Sequence, residues 1–586
     1  MIKVLRYLDR RQWGQVVLAL VLIVVQVWLD LTLPDYMSNI TTLVETEGSS
    51  MSEILVQGGW MLACALGSAV ASVAVGYIAA RIAAELGRTL RGKVFDRTLE
   101  LSKGDVETFS TASLINRTTN DITQIQTLVS MGLQAIVKAP IMAIWAVTKI
   151  AGKGWEWSAA TAVGAFVVIV MLGVTLVVAV PRFRSIQGLT DKLNRVTREH
   201  LDGIRPVHAY NAEAYEQARF TSANDDVTEN NLVANRVMAI MSPGMTFVTS
   251  VLTMAIYWIG AYLINAAGMG DRLAIFSNMV VFSNYAMQVI MAFVLLNMVF
   301  ILLPRAQVSA GRVCEVIDTE SSIEDGSGAD PAKAARGSIE FRDVSFSYPD
   351  TGEEVLHDVS FSAKAGETVA IIGSTGSGKT TLVQLIDRLY DATTGTVLVD
   401  GVDVRDYGLE DLHDRIGYVP QTANLFSGTV ATNVSYGKCG HRVSGEDVSR
   451  ALRISQSESF VDEMDGKGSA TIDQGGRNVS GGQRQRLAIA RAIARKPETL
   501  VFDDSFSALD FATDKALRKS LATECKGTTK VIVAQRIGTI RDADRIIVLD
   551  QGRMVGNGTH DELMRSCETY QEIASSQLSK EELAHA

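Results

Sequence analysis

Val369-Ala370-Ile371-Ile372-Gly373-Ser374-Thr375-Gly376-Ser377-Gly378-Lys379-Thr380-Thr381 decides the fold of the C-terminal half. The first four residues read as a buried strand, and an apolar helix pattern follows Thr381. Between them the glycines let backbone N–H groups curl around phosphate oxygens, and the helix N-terminus adds its partial positive charge. Lys379 is placed to reach the outer phosphates of ATP, and the Thr380 hydroxyl to ligate Mg²⁺. In this strand–loop–helix context, Gly373, Ser374, Thr375, Gly376, Ser377, Gly378, Lys379, Thr380 and Thr381 form a phosphate-binding loop in an α/β domain.

Working outward, Thr499-Leu500-Val501-Phe502-Asp503 is a second buried strand, and its terminal acid is expected to hold the Mg²⁺ shell. Ile339 to Phe346 alternates as a strand should. Tyr348 follows in a position to stack on a base, although a lone tyrosine there also reads as a turn aromatic. A composition break at Asp325–Arg336, rich in Gly, Ser, Ala, Asp and Pro, reads as a linker. The expected division is a membrane domain over 1–322, a linker over 323–336 and a nucleotide-binding domain over 337–586.

The N-terminal half has a different chemistry. Apolar runs at roughly 13–33, 55–79, 130–152, 157–180, 240–266 and 273–303 each reach the roughly 20 residues that a membrane-spanning helix needs. Lys3, Arg6, Arg10, Arg11, the Arg81–Arg97 cluster, Arg182 and Arg184 place both termini and the long loops in the cytoplasm. Glu45, Glu47 and Glu53 flank the first outer loop, whereas Lys149 and Lys153 run against the trend. Stretches 80–129 and 181–239 read as helices continuing beyond the bilayer, with turn-like segments near Ser110–Asn120 and Ala209–Glu213 that could touch a cytoplasmic domain. The chain has 586 residues, 47% of them apolar, and a net charge of −10, with no basic field to suggest nucleic acid. Its five scattered cysteines suggest neither a disulfide framework nor a metal site.

The last apolar run carries Ser277, Asn284 and Gln288 on one helical face, with Met287, Met291 and Met298 on the adjoining face. Ser277, Asn284, Gln288 and Met291 read either as the wall of a substrate cavity or as ordinary helix–helix packing. Lys138 is expected to snorkel to the cytoplasmic interface. Asp30, just before Pro34, is expected near the outer interface.

Asn478-Val479-Ser480-Gly481-Gly482-Gln483-Arg484-Gln485-Arg486 opens an Ala-rich helix. It resembles the signature motif of ATP-binding-cassette (ABC) transporters. The whole chain, six membrane helices and then one cassette, resembles a half-transporter with the exporter-type fold. The resemblance implies ATP and Mg²⁺ as cofactors and a second half-transporter as partner. It further implies that Tyr348 stacks on adenine and that Gln421 contacts Mg²⁺ and the membrane half. Ser480, Gly481, Gly482 and Gln483 would bind the γ-phosphate of ATP held by the opposite cassette. Asp510, in Ser507-Ala508-Leu509-Asp510, would sit in a loop crossing the dimer interface, and Asp473–Gly476 falls where the family's cross-talk loop lies.

Two departures carry a functional expectation. The family has Glu after the Walker B acid, where this chain has Asp504, and His at the switch, where it has Gln535. Asp504 is one methylene short, and a water held roughly an ångström off can cost about 100-fold in rate. Gln535 can donate a hydrogen bond but cannot become cationic. The chain thus looks like the degenerate-site member of a bacterial heterodimeric, multidrug-type pair. Its partner would carry the catalytic Glu and His, and its setting would be the inner (cytoplasmic) membrane. Import of a metal chelator or siderophore, a nucleotide-sensing regulatory subunit and a homodimeric exporter are the competing readings. The cavity chemistry suits a small amphipathic or peptide-like substrate.

Overall fold

The computed structural model describes residues 2–46, 49–151, 154–268, 271–328, 336–349 and 352–577. Glu47, Lys153 and linker positions 329–335 therefore lie outside the described residues. The chain forms two compact units, Met1–Thr98 with Ala112–Thr319, and Leu99–Thr111 with Glu320–Ala586.

The first unit is built on six long helices. They are α1 (Arg10–Glu45), α2 (Met51–Glu100), α3 (Ile122–Ile150), α4 (Trp155–Asp202), α5 (Glu213–Ala266) and α6 (Arg272–Asp318). Each contains a stretch long and apolar enough to cross a membrane, in register with the six apolar runs. With 50 residues and 1.5 Å of rise per residue, α2 is about 75 Å long, more than twice the hydrocarbon thickness.

The polar extensions are interrupted. A seven-residue helix, Lys103–Phe109, starts at a Ser102/Asp105 capping box, and Ser110 at φ 56° breaks the chain. The stretch Thr111–Asp121 is itself helical, ending in a π-helical turn at Arg117–Asp121. Asn211 at φ 52° makes the turn between the short helix Ile204–Ala209 and α5.

Helix α6 packs along α3 and α1, and α4 pairs with α5. Val27, Leu31, Ala139, Trp157, Phe282 and Tyr285 lie in the buried core of this unit. At Gly260 a Cβ would collide with the Met279 side chain, so glycine there permits the close approach of α5 and α6.

Among the described residues, the second unit carries twelve strands. A four-stranded sheet has the order β2 (Glu354–Ala363), β1 (Ile339–Ser347), β4 (Thr394–Val399), β5 (Val402–Asp403). Strands β7 (Gly428–Thr429) and β8 (Thr471–Ile472) form a short pair. The sheet that positions the site has the order β12-β11-β3-β10-β9-β6. Its members are β3 (Thr368–Gly373), β6 (Ile416–Val419), β9 (Thr499–Asp503), β10 (Thr529–Val533), β11 (Arg545–Asp550) and β12 (Arg553–Gly558). All its pairings except β11–β12 are parallel, so β3, β6, β9 and β10 end at the same edge. Ligands of open parallel sheets bind at that edge.

The helices that matter below are α7 (Lys379–Ile386), α8 (Gly481–Ala494), α9 (Phe511–Glu524), α10 (His560–Ser566) and α11 (Glu568–Gln577). Before the cassette sheets, the Gly326 and Gly328 amides bond to Tyr407 O and Asp406 O. Asp325 accepts from the Leu409 amide at 2.7 Å. The early part of the expected linker is thus fastened to the cassette. All five cysteines are unpaired and buried.

Candidate functional site

Strand β3 runs into the phosphate-binding loop and the loop into α7, the order that the sequence pattern requires. Gly376 and Gly378 sit at φ 83° and 91°, a left-handed conformation that glycine adopts without strain. At Gly378 a Cβ would also press on the Leu356 side chain. Ser374, Thr375 and Gly376 are exposed, whereas Ser377 and Lys379 are buried. Lys379 Nζ turns back onto the loop, donating to Gly373 O at 3.0 Å and Ser374 O at 2.6 Å. Burial lowers the pKa of this ammonium, and Asp504 and Asp503 partly restore it. Phosphate oxygens would compete with the two carbonyls for the same protons.

Strands β9 and β10 bring the acids and the switch residue to this edge. Val533 pairs with Asp503 across the parallel ladder, which sets Gln535 two residues beyond the acid. Asp503 accepts from Thr380 Oγ1 at 2.9 Å and from Tyr418 Oη at 3.2 Å. Asp504 has φ 46°, a left-handed conformation that non-glycine residues seldom adopt. Its Oδ2 accepts from Gln535 Nε2 at 2.8 Å and Gln421 Nε2 at 3.2 Å. Burial raises the pKa of both carboxyls, opposed at Asp503 by the two hydroxyls and at Asp504 by the two amides. The residue expected to polarise water is therefore held between two neutral amides.

Tyr348 is half-buried, edge-on to Phe346 and Tyr390, and its hydroxyl lies 2.9 Å from Thr381 Oγ1. Ser480 caps α8 through a reciprocal box with Gln483. Ser480 and Gly481 are exposed while the helix behind them is buried, leaving N-terminal amide donors open to an anion. A Cβ at Gly482 would lie 3.2 Å from Ala508 O, so the signature abuts the Ser507–Asp510 loop. Asp510 is the N-cap of α9, accepting from the Thr513 amide at 3.0 Å. Gln485 Nε2 donates to Pro420 O at 3.1 Å and ties the signature helix to the Gln421 loop.

Residues 356–507 match the family model for the ABC transporter, and residues 16–293 match the ABC transporter transmembrane region. The chain is 39% identical over 525 residues to an uncharacterized ABC transporter ATP-binding protein of Mycobacterium tuberculosis, covering 89% of this chain and 87% of that one. The chain belongs to the ABC transporter family. The transporter is also 34% identical over 550 residues to an uncharacterized ABC transporter ATP-binding protein of Bacillus subtilis, covering 91% of each. It is 30% identical over 498 residues to the ATP-dependent lipid A-core flippase of Pseudomonas aeruginosa, covering 83% of this chain and 79% of that one. Its fold resembles a bacterial Atm1-family ABC exporter with ATP bound, with a TM-score of 0.78 and 24% identity over 97% of this chain and 100% of that one. The transporter is thus a multi-pass membrane protein whose cassette binds ATP and couples its hydrolysis to transport.

In the transporter's membrane unit, Asn284, Met287, Met291 and Met298 form an exposed stripe on α6. Gln288, half-buried beside them, donates to Asp30 O at 3.3 Å. Ser277 departs from this stripe. It is 3% exposed and hydrogen-bonded to Ser38, a helix–helix contact between α6 and α1.

The intramembrane charges are paired with one another. Lys138 Nζ meets Asp30 Oδ2 at 3.1 Å, and Asp30 accepts a second bond from Ser68. Lys149 pairs with Asp35 at 2.6 Å, and Tyr285 Oη bonds to Asp35 Oδ1 and Leu31 O at 2.8 Å each. Snorkelling loses here because a partner of opposite sign lies within reach inside the bundle. Lys149, the charge that runs against the trend in the sequence, likewise has a partner of opposite sign.

Two site residues escape the sequence reading. Tyr418 belongs with Asp503, and its place three residues before Gln421 on β6 is the available signal. Gln577, which bonds to the switch segment, carries no local signal at all.

Proposed function

We propose that the transporter is one half of a heterodimeric exporter, holding ATP at its own phosphate loop and hydrolysing it slowly there. The observation that carries this reading is the Asp504 carboxylate, fixed by Gln421 and Gln535. A carboxylate one methylene short and already accepting from two amides is poorly placed to align water, and Gln535 brings no positive charge to a γ-phosphate. The intact Ser480–Gln483 helix start would complete a fast site on a partner that carries Glu and His. Thr380 Oγ1 and Asp503 Oδ1 converge within 2.9 Å and, with Gln421, supply the hard oxygen donors that suit Mg²⁺. When bound, Mg²⁺ neutralises phosphate charge. Tyr348 would present its ring to the adenine.

ATP held between each phosphate loop and the opposite signature draws two cassettes together, and hydrolysis at the partner's site releases them. Both termini and the cassette lie on the cytoplasmic side of the cell membrane in this reading, with the membrane domain over 1–322, the linker over 323–336 and the cassette over 337–586. Asn284, Gln288 and Met291 would face a small amphipathic or peptide-like substrate.

The test is steady-state ATPase activity of the purified full chain in lipid nanodiscs, with its dimeric state checked. Little turnover despite tight ATP binding is expected. Asp504→Glu with Gln535→His should raise turnover about tenfold or more by restoring alignment. Robust turnover of the unaltered chain that Asp504→Asn abolishes would instead make Asp504 a working acid in a homodimer.

A further inference from the structure

We infer that Gln577, on the last turn of α11, is a positioning residue for the nucleotide switch; this rests on Gln535 acting as the switch residue. Its side-chain amide bridges two main-chain groups of the switch segment. Gln577 Nε2 donates to Gln535 O at 2.8 Å, and Gln577 Oε1 accepts from the Ile537 amide at 2.9 Å.

The second bond answers a specific need. Ile537 is the first residue of the four-residue helix Ile537–Ile540, so its N–H has no carbonyl within that helix to bond. The preceding cap residue, Arg536, makes no side-chain capping bond. One amide therefore caps the helix and holds the Gln535 carbonyl, clamping the switch peptide on both sides of Arg536. The Gln535 side chain leaves that clamped backbone to reach Asp504 Oδ2 at 2.8 Å. The line runs from α11 through the Gln535 peptide to the acid beside the phosphate loop.

Helix α11 is firmly seated. Tyr570 and Ala574 are fully buried in the cassette core. The Tyr570 hydroxyl lies 2.8 Å from Nδ1 of His560, itself buried at the start of α10. Seven residues, or about two turns, separate Tyr570 from Gln577. The anchored end thus delivers the amide to the switch without Gln577 itself being buried. C-terminal to every cassette motif in the sequence, this helix fixes the position of one of them.

The test uses the full chain in lipid nanodiscs and compares Gln577→Ala, Gln577→Glu, Gln535→Ala and the Gln577→Ala/Gln535→Ala double variant. Hydrogen exchange of Arg536–Ile540 is read against β10 as an internal control, and release of radiolabelled ATP is timed. In Gln577→Ala, Ile537 should exchange about fivefold faster, the loss of one net hydrogen bond, with β10 unchanged. Gln577→Glu keeps the acceptor for Ile537 and should keep its protection, but it cannot donate to the Gln535 carbonyl. The ATP release time should change in both Gln577 variants and in Gln535→Ala, and the double variant should match Gln535→Ala alone.

Unchanged Ile537 exchange, faster exchange of β10 as well, an unchanged ATP release time, or effects of the two alanine substitutions that multiply would each overturn the assignment. Failure of the slow-site reading is separable. Asp504→Glu with Gln535→His would then leave turnover flat, while the non-additivity of Gln577 and Gln535 would persist.

Discussion

Aspartates in the two units are held by opposite kinds of partner. In the cassette, Asp504 accepts from two neutral amides, Gln421 and Gln535. In the membrane unit, Asp30 and Asp35 are each met by a lysine, Lys138 and Lys149. Amides orient a carboxylate without cancelling its charge, which leaves its field acting on Lys379. Lysines cancel it, and a bundle surrounded by hydrocarbon requires that cancellation. The same side chain thus serves electrostatics in one unit and cohesion in the other.

The sharpest way to break this contrast is Lys138→Met. It leaves the Asp30 charge with only the Ser68 hydroxyl and the membrane around it. A destabilisation of about 3 kcal/mol is expected in thermal unfolding of the detergent-solubilised protein, and Asp30→Asn added to it should recover most of the loss. Next is Lys379→Ala, which removes the charge-assisted donors to phosphate. ATP affinity measured by equilibrium binding should weaken by about 2 kcal/mol, with the unfolding midpoint little changed.

Tyr285→Phe removes the hydroxyl shared by Leu31 O and Asp35 but leaves the Lys149 pair. About 1 kcal/mol of stability should be lost. The smallest effect concerns His560. Burial lowers its pKa from the usual 6.5, reinforced by Arg541 and opposed by Asp561 and Asp542. Its contribution to stability is therefore complete above pH 6.5 and lost as pH falls from there through the folded-state value. The fall of the unfolding midpoint on acidification should be shallower in His560→Gln.

Much of this arrangement is readable in one dimension. Contiguous motifs set the phosphate loop and Asp503, and run length sets the six spans, because each feature depends on neighbours in sequence. The ion pairs are not readable in that way, since Lys138 lies 108 residues from Asp30 and Lys149 114 from Asp35. Helical periodicity groups Ser277 with Asn284 on one face of α6, but periodicity does not say which neighbouring helix covers a position. Ser38 covers Ser277, and Asn284 is left open. Stretch 80–129, without proline, reads as one continuing helix, whereas Ser102 and Asp105 cap a separate short helix just after α2. Gln577 shows the remaining limit, because a side chain that binds only main chain leaves no complementary residue to find.

The lysine–aspartate pairs also impose an order on biogenesis. Helix α1 leaves the ribosome carrying Asp30 and Asp35, and the matching lysines follow more than a hundred residues later on α3. An aspartate at the very centre of a lone span costs about 2.5–3.5 kcal/mol on the insertion scale, an upper bound for Asp30 and Asp35, which lie towards the C-terminal end of the first apolar run and just beyond it. The first span has a mean hydropathy of 2.5 with which to offset that cost. It enters the bilayer on its apolar residues alone, and its acids are neutralised only when the third span arrives beside it.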